Sequence, residues 1–510
     1  MKYKVTLETL TPLHIGTGAE LIKDFDYVSQ QDTTFVLNQD AVYDHEYHSR
    51  GGEARLSLPA GRLLSADQFH AGSPFVRYTL RGATTIERVH EQIKDIHGRC
   101  VIPGSSLKGA LRTALFAYVT GTGIFSPDLA TLSKEKSSAG LPWERQVFGS
   151  TPNSDLLRVL QVTDSAPLPS EPSPLDLCVA RVFTGGVPGS PIVVEAVRKG
   201  SIFELELTID ELTLRYAEKL GWQDSQLWLT NLVPILQKVS LRHIQEEKEF
   251  AETKGFGQAA AFYKQLVTLA GRFQDTSAAI LQMGWGTGWT GMTITNWLDA
   301  TARNEIRMRY QLGRPPTASR SWQPNLSKPF PASRRLRALA KETPGQPFGW
   351  VALSFELLQP PSDTWQTLEK RARSALMDFK APVQEKLPDT GTSPTAKEDA
   401  PPQPASPRPA QPASPPPAPA ESPNLVEKFT QLPKVGDRFQ GTVWFTDENS
   451  TLFVEIPGLS AEDYAAAMIS PRDNPGAGKF KDGARVICRV LAVEKDPQQP
   501  NHWLVRCERE

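Results

Sequence analysis

Residues 399–424 hold 11 prolines in 26 positions. No other stretch constrains the fold of this chain as strongly. Proline fixes φ and has no N–H to give, so such a run cannot enter a packed core. The composition predicts an extended, semi-stiff, disordered tether over 385–424. It separates a large body, 1–384, from a small C-terminal module, 425–510. A length of 510 residues predicts about three domains at roughly 150 residues each. The body is therefore expected to hold two, 1–165 and 166–384.

Within the body, Tyr3, Val5, Leu7 and Thr9 alternate as an edge-to-core strand does. Residues 83–97 and 105–119 read as helices, with a strand at 99–102 between them. Leu156–Val162 reads as a strand, and 177–209 as several. Ile192–Val197 and Ile202–Ile209 alternate as a hairpin pair would. Residues 210–282 change character and predict a helical insertion with helices at 211–220, 227–250 and 258–282. Strand patterning returns at 349–358. Strands, then helices, then strands predict an α+β body. The module 425–510 shows four short alternating stretches separated by Gly and Asp turns, which predicts a small five-stranded barrel of the OB or S1-like type. Trp444, Phe445, Phe453, Arg485, Arg489 and Trp503 could give it a base-stacking and phosphate-binding face. Some of those aromatics are equally expected in the barrel core.

Charge and cysteines exclude several classes. Net charge is −1, so a polyanion site must come from local segregation. The cysteines, Cys100, Cys178, Cys488 and Cys507, form no CxxC pair. That argues against structural zinc and a disulfide scaffold. The start, MKYKVTLETL, is strand-like, and no apolar run approaches a membrane span. A reducing, cytoplasmic setting without membrane contact is expected.

Four motifs carry candidate chemistry. In IPGSSLKGALR (102–112) a Pro-Gly turn precedes a helix that Ser105 or Ser106 is placed to cap. Lys108 and Arg112 lie four apart on one face. A helix start with two cations is an anion grip, although a capped surface helix with solvated cations fits too. MGWGTGWTG (283–291) holds four glycines that let a backbone approach a ligand, and Trp285 and Trp289 are candidates to stack on bases. The alternative is a tight loop with both tryptophans packed inward. Residues 303–341 contain ten Lys or Arg against one acid, Glu305. Arg303, Arg307, Arg309, Arg314, Arg320, Arg334, Arg335 and Arg337 are among them, with Trp322 and Phe330 interleaved. Arginine in such excess favours phosphate. His14, in TPLHIGTG (11–18), is either a general acid or base or a packed loop histidine. Asp24 and Asp26 are candidate metal ligands but read better as turn formers. The acidic run Glu246, Glu247, Glu249 and Glu252 reads as a solvated face. No triad spacing, HExxH or Walker loop is present, and no cofactor or metal is expected.

The order of TPLHIGTG, IPGSSLKGALR and a distal glycine loop resembles the RAMP proteins of CRISPR–Cas systems. GWGTGW (284–289), FPASRRL (330–336) and PFGW (347–350) narrow the resemblance to the end-capping backbone subunits of type III-A (Csm) effector complexes. It covers about residues 2–358 and implies two ferredoxin-like, RRM-related domains. It also implies binding of the 3′ part of the CRISPR RNA and support of guide maturation without a nuclease centre. The RNA-facing residues it implies are His14, Gly16, Gly18, Ser105, Ser106, Lys108, Arg112, Gly284, Trp285, Gly286, Gly288, Trp289, Arg334, Arg335 and Arg337. Implied partners are neighbouring Csm backbone subunits, the small subunit and target RNA near the complex end, with a maturation nuclease as a further candidate. Neighbouring backbone subunits of that family cut target RNA with a loop Asp. Asp26 lies in a comparable loop, but its setting, KDFDYV, matches the caps, so catalysis is not carried over. The alternative is a RAMP endoribonuclease that cleaves repeat RNA with His14 as acid–base. The tether and the C-terminal module depart from the family pattern, so their role is not inherited.

Overall fold

Val5 and Leu7 are both 0% exposed, and the strand they define, β1 (Lys2–Thr9), lies in the middle of a sheet rather than at its edge. The computed structural model describes residues 1–50, 55–170, 172–185, 188–314, 322–326, 330–359, 362–379, 426, 429, 432–446, 452–459, 465–469, 485–495 and 503–509. They fall into two compact units, Met1–Asp389 and Thr390–Glu510. The expected tether, 385–424, lies outside the described residues.

The first sheet has the order β11 (Ala278–Gln282), β14 (Trp350–Leu357), β1, β10 (Ile202–Ile209), β7 (Leu160–Val162). Every pair is antiparallel. The helices Gly104–Gly121 and Leu232–Thr253 follow β1 and β10 in the chain. Set β11 aside, and the remaining strands with these helices give the βαββαβ order of a ferredoxin-like unit. Its core is one apolar layer in which Val5, Leu7, Phe203, Leu205 and Leu207 meet Leu107, Leu111 and Ile235.

The second sheet is built from the segments between those strands. Its path is β2 (Gly16–Ile22), β6 (Arg88–Gln92), β9 (Ile192–Val197), β8 (Leu175–Phe183), β5 (Val76–Arg81), β4 (Thr33–Leu37), β3 (Tyr27–Gln30). β12 (Arg334–Ala338) pairs with β8 and with β13 (Pro344–Pro347). Both sheets thus draw strands from either side of residue 165. The sheets therefore do not divide in tandem at residue 165: the strands of the second are nested in the loops of the first. Strands find partners by matching buried faces, and sequence distance enters only through loop closure, which grows slowly with length.

Several local expectations change for the same reason. Residues 83–97 form no helix. Ile86, Val89, Ile93 and Ile96 fall at helical spacing by coincidence; Val89 pairs with Leu21 and Val193, while Ile96 is 95% exposed at a turn. Residues 99–102 belong to no named strand, and only Cys100 forms a bridge, to Lys94. β9 and β10 are not a hairpin, because they belong to different sheets; β8 and β9 pair instead. The helix expected at 258–282 runs Gly257–Phe273, and β11 follows. Only Glu211–Leu214 of 211–220 is α-helical. The first residues of 156–162 make a 3-10 turn capped by the Asp155 side chain. Among the described residues no helix is long and apolar enough to cross a membrane.

The second unit is a closed barrel of β15 (Arg438–Thr446), β16 (Leu452–Val454), β17 (Ala465–Ile469), β19 (Trp503–Arg509) and β18 (Arg485–Lys495), in that order. β17 and β19 run parallel, and every other pair is antiparallel. Val486, Cys488 and Val490 on β18, with Val505 and Cys507 on β19, alternate inward. All four cysteines are free and buried. Burial pushes the Cys100 and Cys488 thiols up to about 12 and Cys178 to about 11.

Candidate nucleic-acid interface

The helix of IPGSSLKGALR begins at Gly104, a residue earlier than either serine. Pro103 occupies the cap position, with no side-chain cap. Only glycine fits where the helix starts, since a Cβ there would lie 2.3 Å from the Val162 carbonyl oxygen. The Gly104 N–H donates to Asp164 Oδ1 at 2.8 Å, so an internal carboxylate already meets the positive end of the dipole. Arg112 is committed as well. Its Nε and Nη1 donate to Glu144 and Asp155, each at 2.9 Å, and its guanidinium lies over the Phe148 ring. Ser105 is exposed, and Ser106 and Lys108 are half-buried. Burial lowers the Lys108 ammonium pKa, against the pull of Asp155. The shared cationic face of Lys108 and Arg112 is thus reduced to Lys108.

The glycine loop and the TPLHIGTG loop, 270 residues apart in sequence, meet in space. Gly284 has φ +77, and a Cβ there would sit 2.6 Å from the His14 carbonyl oxygen. The next N–H, of Trp285, donates to that oxygen at 2.8 Å. PFGW joins the same place: the Gly349 N–H donates to Pro12 O, the Met283 N–H to Gly349 O, and Gly286 packs on Phe348. Gly16, Gly18 and half-buried Gly288 line the outer side. Trp285 is half-buried, with His14 and Phe348 meeting its ring edge-on and His90 tilted against it. Trp289 instead packs edge-on against Phe330 at the core margin.

His14 is 2% exposed. Its Nδ1–H donates to the Glu195 carbonyl at 2.7 Å, the only role a carbonyl partner allows. Burial, followed by repulsion from His90 and Lys94, pulls its pKa down to about 4 despite that hydrogen bond. At neutral pH the ring is neutral, and Nε2 faces Gly16. A general acid or base needs access to substrate, and His14, 2% exposed with Nδ1–H held by a carbonyl, lacks it.

The arginines of β12 divide by strand alternation. Arg334 and Leu336 turn inward, where Arg334 donates from Nε and Nη2 to both Glu247 oxygens at 2.7 and 2.8 Å. Its guanidinium also lies over Phe250, 3.8 Å from the ring centre. Glu247 is 3% exposed and accepts from Thr290 of the glycine loop. It is a buried counter-ion, and the expected solvated acidic face is corrected at that position. Arg335 turns the other way, over the Trp285 ring at 4.3 Å, with Nε buried and without a hydrogen-bond partner. Arg337 shares that side. Further along the basic segment, Arg309 is spent on the Leu129 and Leu132 carbonyls, and Arg307 donates to Asn325 O. Arg320 lies outside the described residues. Asp24 pairs with Arg62, and Asp26 accepts from the Ile22 N–H and Gln39, so both serve the turn. In the barrel, Arg485 and Arg489 are exposed, Arg489 beside Glu508; the side chains of Trp444, Phe445, Phe453 and Trp503 lie outside the described residues.

Two residues that organise the site carry no motif. Glu195, 0% exposed, accepts from the Tyr78 hydroxyl, the Gln92 N–H and Lys94. Gln92 in turn accepts from the Ile15 N–H, which fixes the loop of His14. A lone acid inside the apolar run IVVEAV was the available signal. Glu247, within EEKEF, offered none. The face of the first sheet away from its helices carries Lys2, Lys4, Glu204, Glu206, Ser354 and Glu356, with two Lys–Glu pairs at 2.7 Å. It holds no aromatic platform of the kind that RRM sheets use for bases. A cavity of about 50 Å³ between the 104–121 and 232–253 helices has Ser240, Gln282, Thr290 and Thr293 bonded internally. Among the described residues, the Trp285–Arg335 surface is a half-exposed place where a guanidinium without a counter-ion meets an indole.

A curated relative, the CRISPR system Cms protein Csm5 of Streptococcus thermophilus, is 27% identical over 188 residues, 32% of this chain and 52% of the relative. The match thus spans about half the relative's length. A chain in a cryo-EM structure of a Csm–crRNA–target RNA ternary complex of a type III-A CRISPR–Cas system superposes with a TM-score of 0.52 at 25% identity, over 69% of this chain and all of that one. A crystal structure of T. onnurineus Csm5 aligns at 23% identity with a TM-score of 0.43. The RAMP superfamily model matches residues 6–290, more than half of the chain, and the protein belongs to that superfamily.

Proposed function

We propose that this chain is a non-catalytic RNA-binding subunit of a type III-A Csm effector complex, capping the 3′ portion of the CRISPR RNA and supporting guide maturation and antiviral interference. The observation that carries the reading is the convergence of three separated motifs on one half-exposed surface. The glycine loop, the His14 loop and PFGW meet around Trp285 beside Arg335. Superfamily membership and the superposition of 69% of this chain on the whole of a chain from a Csm–crRNA–target RNA complex supply the context. Its partners in this reading are CRISPR RNA, neighbouring Csm backbone and small subunits and target RNA near the complex end, in the cytoplasm. A buried histidine with a pKa near 4 speaks against the endoribonuclease alternative.

The barrel extends the reading. We read its order, 1-2-3-5-4 with strands 3 and 5 parallel, as that of an OB-type barrel, a class that binds single strands. On the 385–424 tether it would sample RNA leaving the complex at an effective concentration set by reach, or recruit a maturation nuclease. The test is to co-express the tagged chain with the other Csm subunits and a repeat–spacer array, then sequence the RNA that copurifies. Guide RNA is the expected cargo, and purified protein should leave repeat RNA intact in metal-free buffer. Absence of guide RNA, or metal-independent cutting that His14→Ala abolishes, would overturn the reading.

A further inference from the structure

We propose that Arg335 is the seat of a single backbone phosphodiester, with Trp285 supporting its guanidinium rather than stacking a base. The inference rests on the RNA-binding reading above and narrows it to one contact.

Adjacent arginines on β12 meet opposite fates. Arg334 is answered by both oxygens of Glu247. Arg335 has no carboxylate, carbonyl or hydroxyl partner among the described residues, and its Nε is buried. Burial alone lowers its pKa. A desolvated cation without a counter-charge is unfavourable until an anion completes it. The planar fork of arginine suits a phosphate, which accepts two parallel N–H bonds. The guanidinium carbon stands 4.3 Å from the centre of the Trp285 ring, a contact that holds the side chain over the indole before the ligand arrives. The indole meets His14, His90 and Phe348 on its other approaches. Arg337 follows at about 6.6 Å along the same side of the strand and continues the cationic row. Contacts of this kind hold backbone and read no sequence.

The test uses the full chain and four variants: Arg335→Ala, Arg335→Lys, Trp285→Phe and Trp285→Ala. Affinity for oligo(U) and oligo(A) is measured across a salt series. Arg335→Ala should weaken both roughly tenfold and flatten the log–log salt slope by about one. Arg335→Lys should keep the slope and lose part of the affinity, and Trp285→Phe should resemble wild type. An unchanged slope in Arg335→Ala, or a loss in Trp285→Ala confined to one homopolymer, would overturn the seat in favour of a stacking platform. A second measurement separates the seat from the RNA reading. Inorganic phosphate should raise the Tm of wild type and not of Arg335→Ala. If wild type binds neither homopolymer but keeps this difference, the seat stands and the RNA reading falls. If phosphate shifts both proteins alike, the seat falls.

Discussion

The start of the 104–121 helix and the strand β12 are the two cationic regions that look alike in sequence, and the molecule uses them differently. At the helix start the first N–H and one of the two cations are answered from within: Asp164 takes the Gly104 N–H, and Glu144 and Asp155 take Arg112, which leaves Lys108. On β12 one arginine is answered by Glu247, and its neighbour finds no partner among the described residues. The difference teaches that a cation count locates no binding site. Whether a cation is answered from within is a tertiary property. It also shows why the most family-like motif of the chain has a structural duty: Gly104 and Arg112 lock the helix to β7 and to Phe148.

The sharpest way to break this comparison is to remove the answer on β12. Glu247→Ala leaves Arg334 charged and unpaired inside the body and should cost about 3–5 kcal/mol, read by urea unfolding. Glu247→Leu with Arg334→Met should recover much of that loss. If Glu247→Ala unfolds like wild type, Arg334 is not committed to the core, and the contrast with Arg335 disappears.

His14 tests whether the loop beneath Trp285 is structural. Its pKa falls from 6.5 to about 4 on folding, so the unfolded chain binds the extra proton first. The contribution is complete above pH 6.5 and is lost as pH falls toward 4, at most about 3 kcal/mol. Stability measured across that window should decline more steeply for wild type than for His14→Gln. Parallel declines would assign the acid sensitivity elsewhere.

Gly284→Ala probes the junction of the two loops. Its left-handed φ and the approach to His14 O predict a loss of about 1–3 kcal/mol, with weaker RNA binding because Trp285 shifts. A variant of wild-type stability and affinity would show that the junction yields freely.

The smallest effect sharpens the comparison most. Arg112→Ala should cost about 1 kcal/mol, because its ion pairs are only partly buried, and should leave the RNA salt slope unchanged where Arg335→Ala flattens it. An equal loss of slope in both variants would restore the helix start as a phosphate grip.

Strand alternation made β1 and β14 legible in the sequence, and continuous helical spacing did the same for 104–121 and most of 227–273. The composition break at the prolines fell close to the division between the two compact units. These signals are local, and the buried face they describe is the same whatever it packs against. The spacing of Ile86, Val89, Ile93 and Ile96 misled because three matches over ten residues do not distinguish a helix from a strand and a turn. Which sheet β9 and β10 enter was not local at all. The candidate site was legible as residue types: glycines, Trp285 and arginines in the right order. It was not legible as roles, because Arg334 and Arg335 are equivalent in sequence and Glu247 sits in an ordinary acidic run.

What the sequence determined by itself is therefore the α+β character, the composition break between the body and a small β module, and the family. What only the tertiary structure decided is the nesting of one sheet within the other, the burial of His14, and which arginines find internal carboxylates: Arg112 and Arg334 do, and Arg335 does not among the described residues. The physical reason is range. Propensity, periodicity and composition act over a few neighbours. Ion pairing and desolvation depend on partners such as Glu247 and Arg334, 87 residues apart, which only the packed chain brings within 3 Å.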